Sequence, residues 1–144
     1  MPNWCKNTLI VNDFDYDRLD KFILDFTVNN NFNIDFNKII PEPDIYQKDY
    51  FMSEEQHQWR LKNWGCKWNV SEFKIVSYDP FTVNFLTPWS PPFPIIDELS
   101  KKYMSITFEL IYSEPGMAFE GIYILNHNLK IKIDEYWMEK SASS

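Results

Sequence analysis

Apolar residues along this chain either alternate with polar ones or recur every three to four positions. These two periods divide it into strands and helices. Trp4 to Val11 reads as a strand, and its Leu9-Ile10-Val11 end is continuously apolar, as in a central strand covered on both faces. Asp13 and Asp15 offer N-caps. Tyr16, Leu19, Phe22, Ile23 and Phe26 then follow at helical spacing, which predicts an amphipathic helix over 16–27 with all five on its buried side. Asn29-Asn30-Asn31 ends it. Phe32, Ile34 and Phe36 alternate with polar residues and predict a short strand, after which Ile39-Ile40-Pro41-Glu42-Pro43 leaves regular structure.

Residues 44–63 read as an excursion from the sheet. Ser53 and Gln56 match a capping box, Glu54 and Glu55 suit a first helical turn, and Gly65 is placed to stop the helix near Asn63. That helix is polar apart from Trp59 and Leu61, as a lid or flap would be. Phe73 to Tyr78 and Phe81 to Leu86 predict two strands joined at Asp79-Pro80. A helix over 92–103 follows, with Ser90 as its cap and Ile95 or Ile96, Leu99 and Tyr103 on its buried stripe. Ile106, Phe108, Leu110 and Tyr112 alternate as a strand. Phe119 to Leu125 and Leu129 to Tyr136 form a closing hairpin around Asn126-His127-Asn128. The expected fold is α+β: a ferredoxin-like split βαβ sheet with two helices on one face, a helical insertion and an extra C-terminal hairpin. One domain covers 1–138 with the insertion at about 44–68, and 139–144 form a tail.

Composition narrows the function classes. The formal net charge of −7 opposes non-specific binding to nucleic-acid backbones and to anionic membrane surfaces. No run approaches the length of a membrane span, and the N-terminus turns polar by Asn12-Asp13, unlike a secretory signal. Cys5 and Cys66 make no disulfide framework, so reduced thiols and a cytoplasmic setting are expected.

Four of the six tryptophans lie in short motifs with Gly, Pro or Asn, where strands meet loops. The motifs Met1-Pro2-Asn3-Trp4-Cys5-Lys6-Asn7, Ile39-Ile40-Pro41-Glu42-Pro43 and Asn63-Trp64-Gly65-Cys66-Lys67-Trp68 come first. Trp89-Ser90-Pro91-Pro92, Tyr112-Ser113-Glu114-Pro115-Gly116 and Phe119-Glu120-Gly121 follow. In this order they resemble the YubB-like ferredoxin-like family of plasmids, phages and other mobile elements, over residues 1 to about 125. The resemblance implies the fold and a mobile-element setting, and it carries no catalytic set. Cys66 stands where a small hydroxyl residue is expected.

The chemistry-bearing residues have bland readings beside sharper ones. Cys5, His57, Cys66 and His127 match no metal-ligand spacing, so no metal and no cofactor are expected. Cys66 beside Lys67 could serve as a nucleophile, and Glu109, Glu114 and Glu120 could supply paired carboxylates. Packing and solvation explain both sets as well. Lys67 is a cation between Trp64 and Trp68, and either contacts an anionic ligand or snorkels over the indoles. Asn3 and Asn63 either satisfy loop backbone or read a polar ligand edge. The expected ligand-binding set is Trp64, Lys67, Trp68, Trp89, Glu114, Asn3 and Asn63, gathered at one end of the sheet, with no catalytic residue. The chain reads as a non-catalytic accessory or counter-defence protein. Its partner is a small anionic or nucleotide-like ligand or a host protein, with a homodimer also open. A hydrolase or nuclease using carboxylates or Cys66 is the alternative.

Overall fold

The computed structural model describes residues 3–13, 15–28, 33–48, 53–126 and 129–136. Strand β1 (Trp4–Asn12) leads into helix α1 (Tyr16–Phe26), which Asp15 caps by accepting from the Asp17 and Arg18 backbone amides. A small hairpin of β2 (Thr27–Val28) and β3 (Asn33–Ile34) follows, then a four-residue helix α2 (Phe36–Ile39), a 3₁₀ turn (Asp44–Lys48) and helix α3 (Glu54–Asn63). The chain continues with β4 (Ser71–Tyr78), β5 (Phe81–Pro88), α4 (Phe93–Lys102), β6 (Thr107–Glu114), β7 (Phe119–Asn126) and β8 (Leu129–Tyr136).

Six strands form one sheet in the order β4-β5-β1-β6-β7-β8, with every neighbouring pair antiparallel. The path β1-α1-β4-β5-α4-β6, with β1 seated between β5 and β6, is the ferredoxin-like arrangement. The pair β7–β8 extends it on one side, and residues 27–70 are inserted before β4.

Helices α1 and α4 cover the same face. Phe22 of α1 meets Phe81 of β5, Phe108 of β6 and Tyr103 at the end of α4, with ring centroids 4.9–6.5 Å apart. Tyr103 also donates its hydroxyl to Asp25 of α1 at 2.9 Å. Ile95, Ile96 and Leu99 of α4 join Leu9, Val11, Val83, Phe85, Leu110 and Tyr112 in the same core. Each fully buried ring or branched aliphatic adds about 1.5–3 kcal/mol, so this continuous layer dominates the fold's stability.

Several expectations change. Tyr16 is 65% exposed, because α1 turns its first residue away from the sheet. Ile10 is half-buried on a face that no helix among the described residues covers, so the apolar run in β1 reflects a central position in the sheet. The strand expected around Phe32–Phe36 shortens to Asn33–Ile34. Phe36 instead starts α2 under the Asp35 cap and packs beside Trp64; Phe32 lies outside the described residues. Ser90 does not cap α4, whose N-cap is Pro92; its hydroxyl donates to the Gly65 carbonyl. The Ser53 cap of α3 is present, but Gln56 completes no box because its side chain donates to Glu42. His127, Asn128 and the tail at 139–144 are outside the described residues.

Candidate functional site

Two regions contain the chemistry-bearing residues, and the loop 64–69 joins them. The first is the end of the sheet where β1 and β4 begin and β5 and β6 finish. Trp4 pairs with Pro88 across β1 and β5, and Lys6 pairs with Ser113 across β1 and β6. This register gathers Asn3, Lys67, Trp68, Trp89 and Glu114 from four distant segments.

Trp89 is the unusual member. Its φ is +68°, a left-handed conformation that is a genuine outlier for a bulky residue, and its side chain stays 37% exposed. The surrounding turn is clamped. The Trp89 amide donates to the Asn3 carbonyl at 2.8 Å, Thr87 Oγ1 donates to the Ser90 carbonyl at 2.7 Å, and Ser90 Oγ donates to the Gly65 carbonyl at 2.5 Å. Thr87 is itself held by Asn7 Nδ2 at 2.9 Å. Lys67 Nζ sits 5.5 Å from the Trp89 ring centroid, within cation–π range. Trp68 contacts Trp4 edge to face at 6.1 Å. The result is a surface of exposed and half-buried rings with one ammonium over one indole.

Other expected members are occupied elsewhere. Trp64 is 1% exposed. Its indole N–H donates to the Ile40 carbonyl at 2.9 Å, and its ring packs on Phe36 and Trp59, so it belongs to the core and forms no wall at the sheet end. Asn63 donates to the Trp59 carbonyl at 2.8 Å and closes the C-terminus of α3. Glu114 is fully buried, and its carboxylate accepts from the Gly116 and Met117 amides at 2.8 and 2.6 Å, which fixes the turn into β7. A Cβ at Gly116 would lie 2.5 Å from Asn3 Cγ, so a larger residue there would displace the Asn3 side chain. Glu109 and Glu120 sit on the sheet's uncovered face while Glu114 points to the covered one, so these three carboxylates do not converge.

The thiols are inert by environment. Burial pushes Cys5 and Cys66 up to about 12, so both stay protonated at neutral pH and neither offers a thiolate. Among the described residues, no three His, Cys, Asp or Glu side chains group as metal ligands.

The second region is a polar groove that the sequence did not reveal. Asp35, Asn37, Glu42, Tyr46, Gln56, Arg60, Trp64 and Asn69 line a cavity of about 410 Å³. Glu42 is its centre. Its buried carboxylate accepts from Arg60 Nε and Nη2 at 3.1 and 2.9 Å and from Gln56. Arg60 also stacks over Trp64 at 4.9 Å and donates to the Lys67 carbonyl at 3.3 Å. These bonds anchor α3 to the domain, so the segment read as a lid is strapped down by a buried ion pair. Asp35 and Glu42 outnumber Arg60, which makes the groove unfavourable to an anion. A second cavity of about 150 Å³, lined in part by Asp25, Lys38, Leu99 and Tyr103, includes none of the expected site residues.

No curated protein matches the chain. Among solved structures, the crystal structure of protein api92 from Yersinia pseudotuberculosis is similar in fold, with a TM-score of 0.52 at 19% sequence identity. The match covers 72% of this chain and 39% of that one, so this chain corresponds to well under half of that protein. The family model for the ferredoxin-like domain in Api92-like protein matches residues 63–143, more than half of the sequence. The chain belongs to this family of Api92-like ferredoxin-like domains.

Proposed function

We propose that this chain is a non-catalytic binding protein whose recognition surface is the Lys67–Trp89 platform, with Trp4, Trp68 and Asn3 beside it. The observation that carries the reading is Trp89. The fold holds a large ring partly in solvent in a strained backbone conformation and sets an ammonium over it. The clamped turn fixes the backbone, and the ring it leaves partly in solvent beside a cation suits a planar anionic group. The favoured ligand is therefore small and nucleotide-like, stacking on Trp89 with its charged end toward Lys67. The resemblance of the motifs to the YubB-like family implies a mobile-element setting, and the role proposed with it is accessory or counter-defence, in which such a ligand is sequestered.

Engagement of a host protein is the second reading. It is favoured by the same exposed Trp, a residue type enriched in interface hot spots, and by the acidic net charge of −7. Titration of the chain with nucleoside mono- and diphosphates, followed by tryptophan fluorescence and calorimetry, separates the two. The ligand reading predicts saturable binding that Lys67→Ala weakens at least about tenfold with little change in Tm. Absence of binding across the panel contradicts it. Recovery of a host protein that Trp89→Ala no longer retains would then favour the second reading.

A further inference from the structure

The sheet has two faces, and among the described residues no helix covers one of them. The register assigns the positions on this open face in rows. One row runs Lys74, Asn84, Thr8, Ile111, Ile122, Ile133 from β4 to β8, and the next runs Ser77, Thr82, Ile10, Glu109, Ile124, Ile131. Leu129 follows beside Asn126. The β6–β8 half therefore presents Ile111, Ile122, Ile124, Leu129, Ile131 and Ile133 together. Five of these are 36–59% exposed and Ile124 is half-buried. Contiguous branched aliphatics on three neighbouring strands, reaching a sheet edge, mark an interaction surface.

We infer that this isoleucine face is a homodimer interface, in which a second copy of the chain packs sheet against sheet across a two-fold axis near Ile122. The area fits. Three strands about 4.8 Å apart and about 26 Å long give an apolar core of roughly 380 Å² in the sheet plane, and all six give roughly 750 Å². A standard interface takes about 800 Å² from each partner, with an apolar centre and a polar rim. The chemistry fits as well. A surface of branched aliphatics that interdigitate is complementary to itself, as an isologous contact requires. Glu109 and Glu120 flank it and do not interrupt the Ile111–Ile122–Ile133 row, so like charges of the two copies fall at the rim. A net charge of −7 disfavours an anionic membrane as the cover.

Sedimentation equilibrium of the full chain over a dilution series tests this, with far-UV circular dichroism confirming that each variant is folded. The expected mass rises from one chain, 17.4 kDa, to two. Ile133→Lys and Ile131→Lys should each weaken the dimer at least about tenfold, about 1.4 kcal/mol. Leu24→Lys, on the exposed side of α1 and away from this face, should leave it unchanged. A chain that remains monomeric, a monomer that partitions onto phosphatidylcholine vesicles, a dimer indifferent to both isoleucine variants, or one equally weakened by Leu24→Lys overturns the inference.

Discussion

On the open face, the β4–β5–β1 half carries Lys74, Ser77, Thr82, Asn84, Lys6 and Thr8 with Ile10 and Leu86 among them, whereas the β6–β7–β8 half carries five isoleucines and a leucine with Glu109 and Glu120 beside them. The polar half is finished by its own contacts: Thr8 Oγ1 donates to Asn84 Oδ1 at 2.8 Å. The edges differ in the same sense. β4 shifts register twice and has Glu72 at a φ of +49°, which disrupts the ladder that another strand would need, while β8 pairs with β7 without a shift through all eight residues. The covered face beneath shows no such division. The outer surface beside β4 is thus mostly polar and its edge irregular, whereas the hairpin added beside β6 carries a mostly apolar outer surface and a regular edge.

Substitutions on opposite faces of β6 give the largest expected contrast. Phe108→Ala, on the covered face, should cost about 3–5 kcal/mol in urea denaturation, as a large ring is lost from a closed core. Ile111→Ala, on the open face, should cost about 1 kcal/mol or less under dilute, monomeric conditions. Equal costs would mean that the apolar half is already covered within one chain.

Alkaline pH probes the covered layer next. The folded thiols of Cys5 and Cys66 are raised from an ordinary 9.0 to about 12 by burial. Unfolding lets them ionise, so their contribution is complete below about pH 9 and is lost as pH climbs from 9 toward 12. Burial and hydrogen bonds to Asp25 and Asp97 also raise Tyr103 and Tyr123, which places the same loss beneath both halves of the sheet. Tm should fall progressively above about pH 9, and less steeply in a Cys5→Ala, Cys66→Ala variant. A Tm that stays flat to about pH 11 would contradict the buried-thiol assignment.

The smallest effect is expected on the polar half. Exchanging its hydrogen-bonded pair by Thr8→Val with Asn84→Leu removes donor and acceptor together, so stability should change by less than about 1 kcal/mol. The apolar patch would then extend onto β1 and β5, and self-association should tighten. Unchanged association would show that apolar character on this face does not set it.

Element order and the α+β architecture were legible because β1, α1, β5, α4 and β6 each carry a clean period of two or about 3.6 against a single covered face. Periodicity failed where it reports burial without saying what does the burying. Ile122, Ile124, Ile131 and Ile133 alternate as well as any core strand, yet they lie on the face without helices. Trp64 and Trp89 stand in similar Gly- or Pro-bearing motifs, but Trp64 fills the core under α3 while Trp89 is held partly in solvent. Spacing cannot separate them, because the difference lies in backbone sign and in long-range partners such as Ile40 and Asn3. The Glu42–Arg60–Gln56 network was invisible because its members come from an irregular segment and a polar helix. Glu42 within Pro41-Glu42-Pro43 was the available signal, a carboxylate held between two prolines beside an apolar pair.

Isoleucine δ1-methyl NMR across a dilution series tests the division of the sheet most directly. The methyls of Ile111, Ile122, Ile124, Ile131 and Ile133 should shift together with concentration and report one dissociation constant, while those of Ile95, Ile96 and Ile106 in the closed core stay fixed. Spectra independent of concentration for all of them, or shifts confined to residues outside the β6–β8 half, would contradict the account.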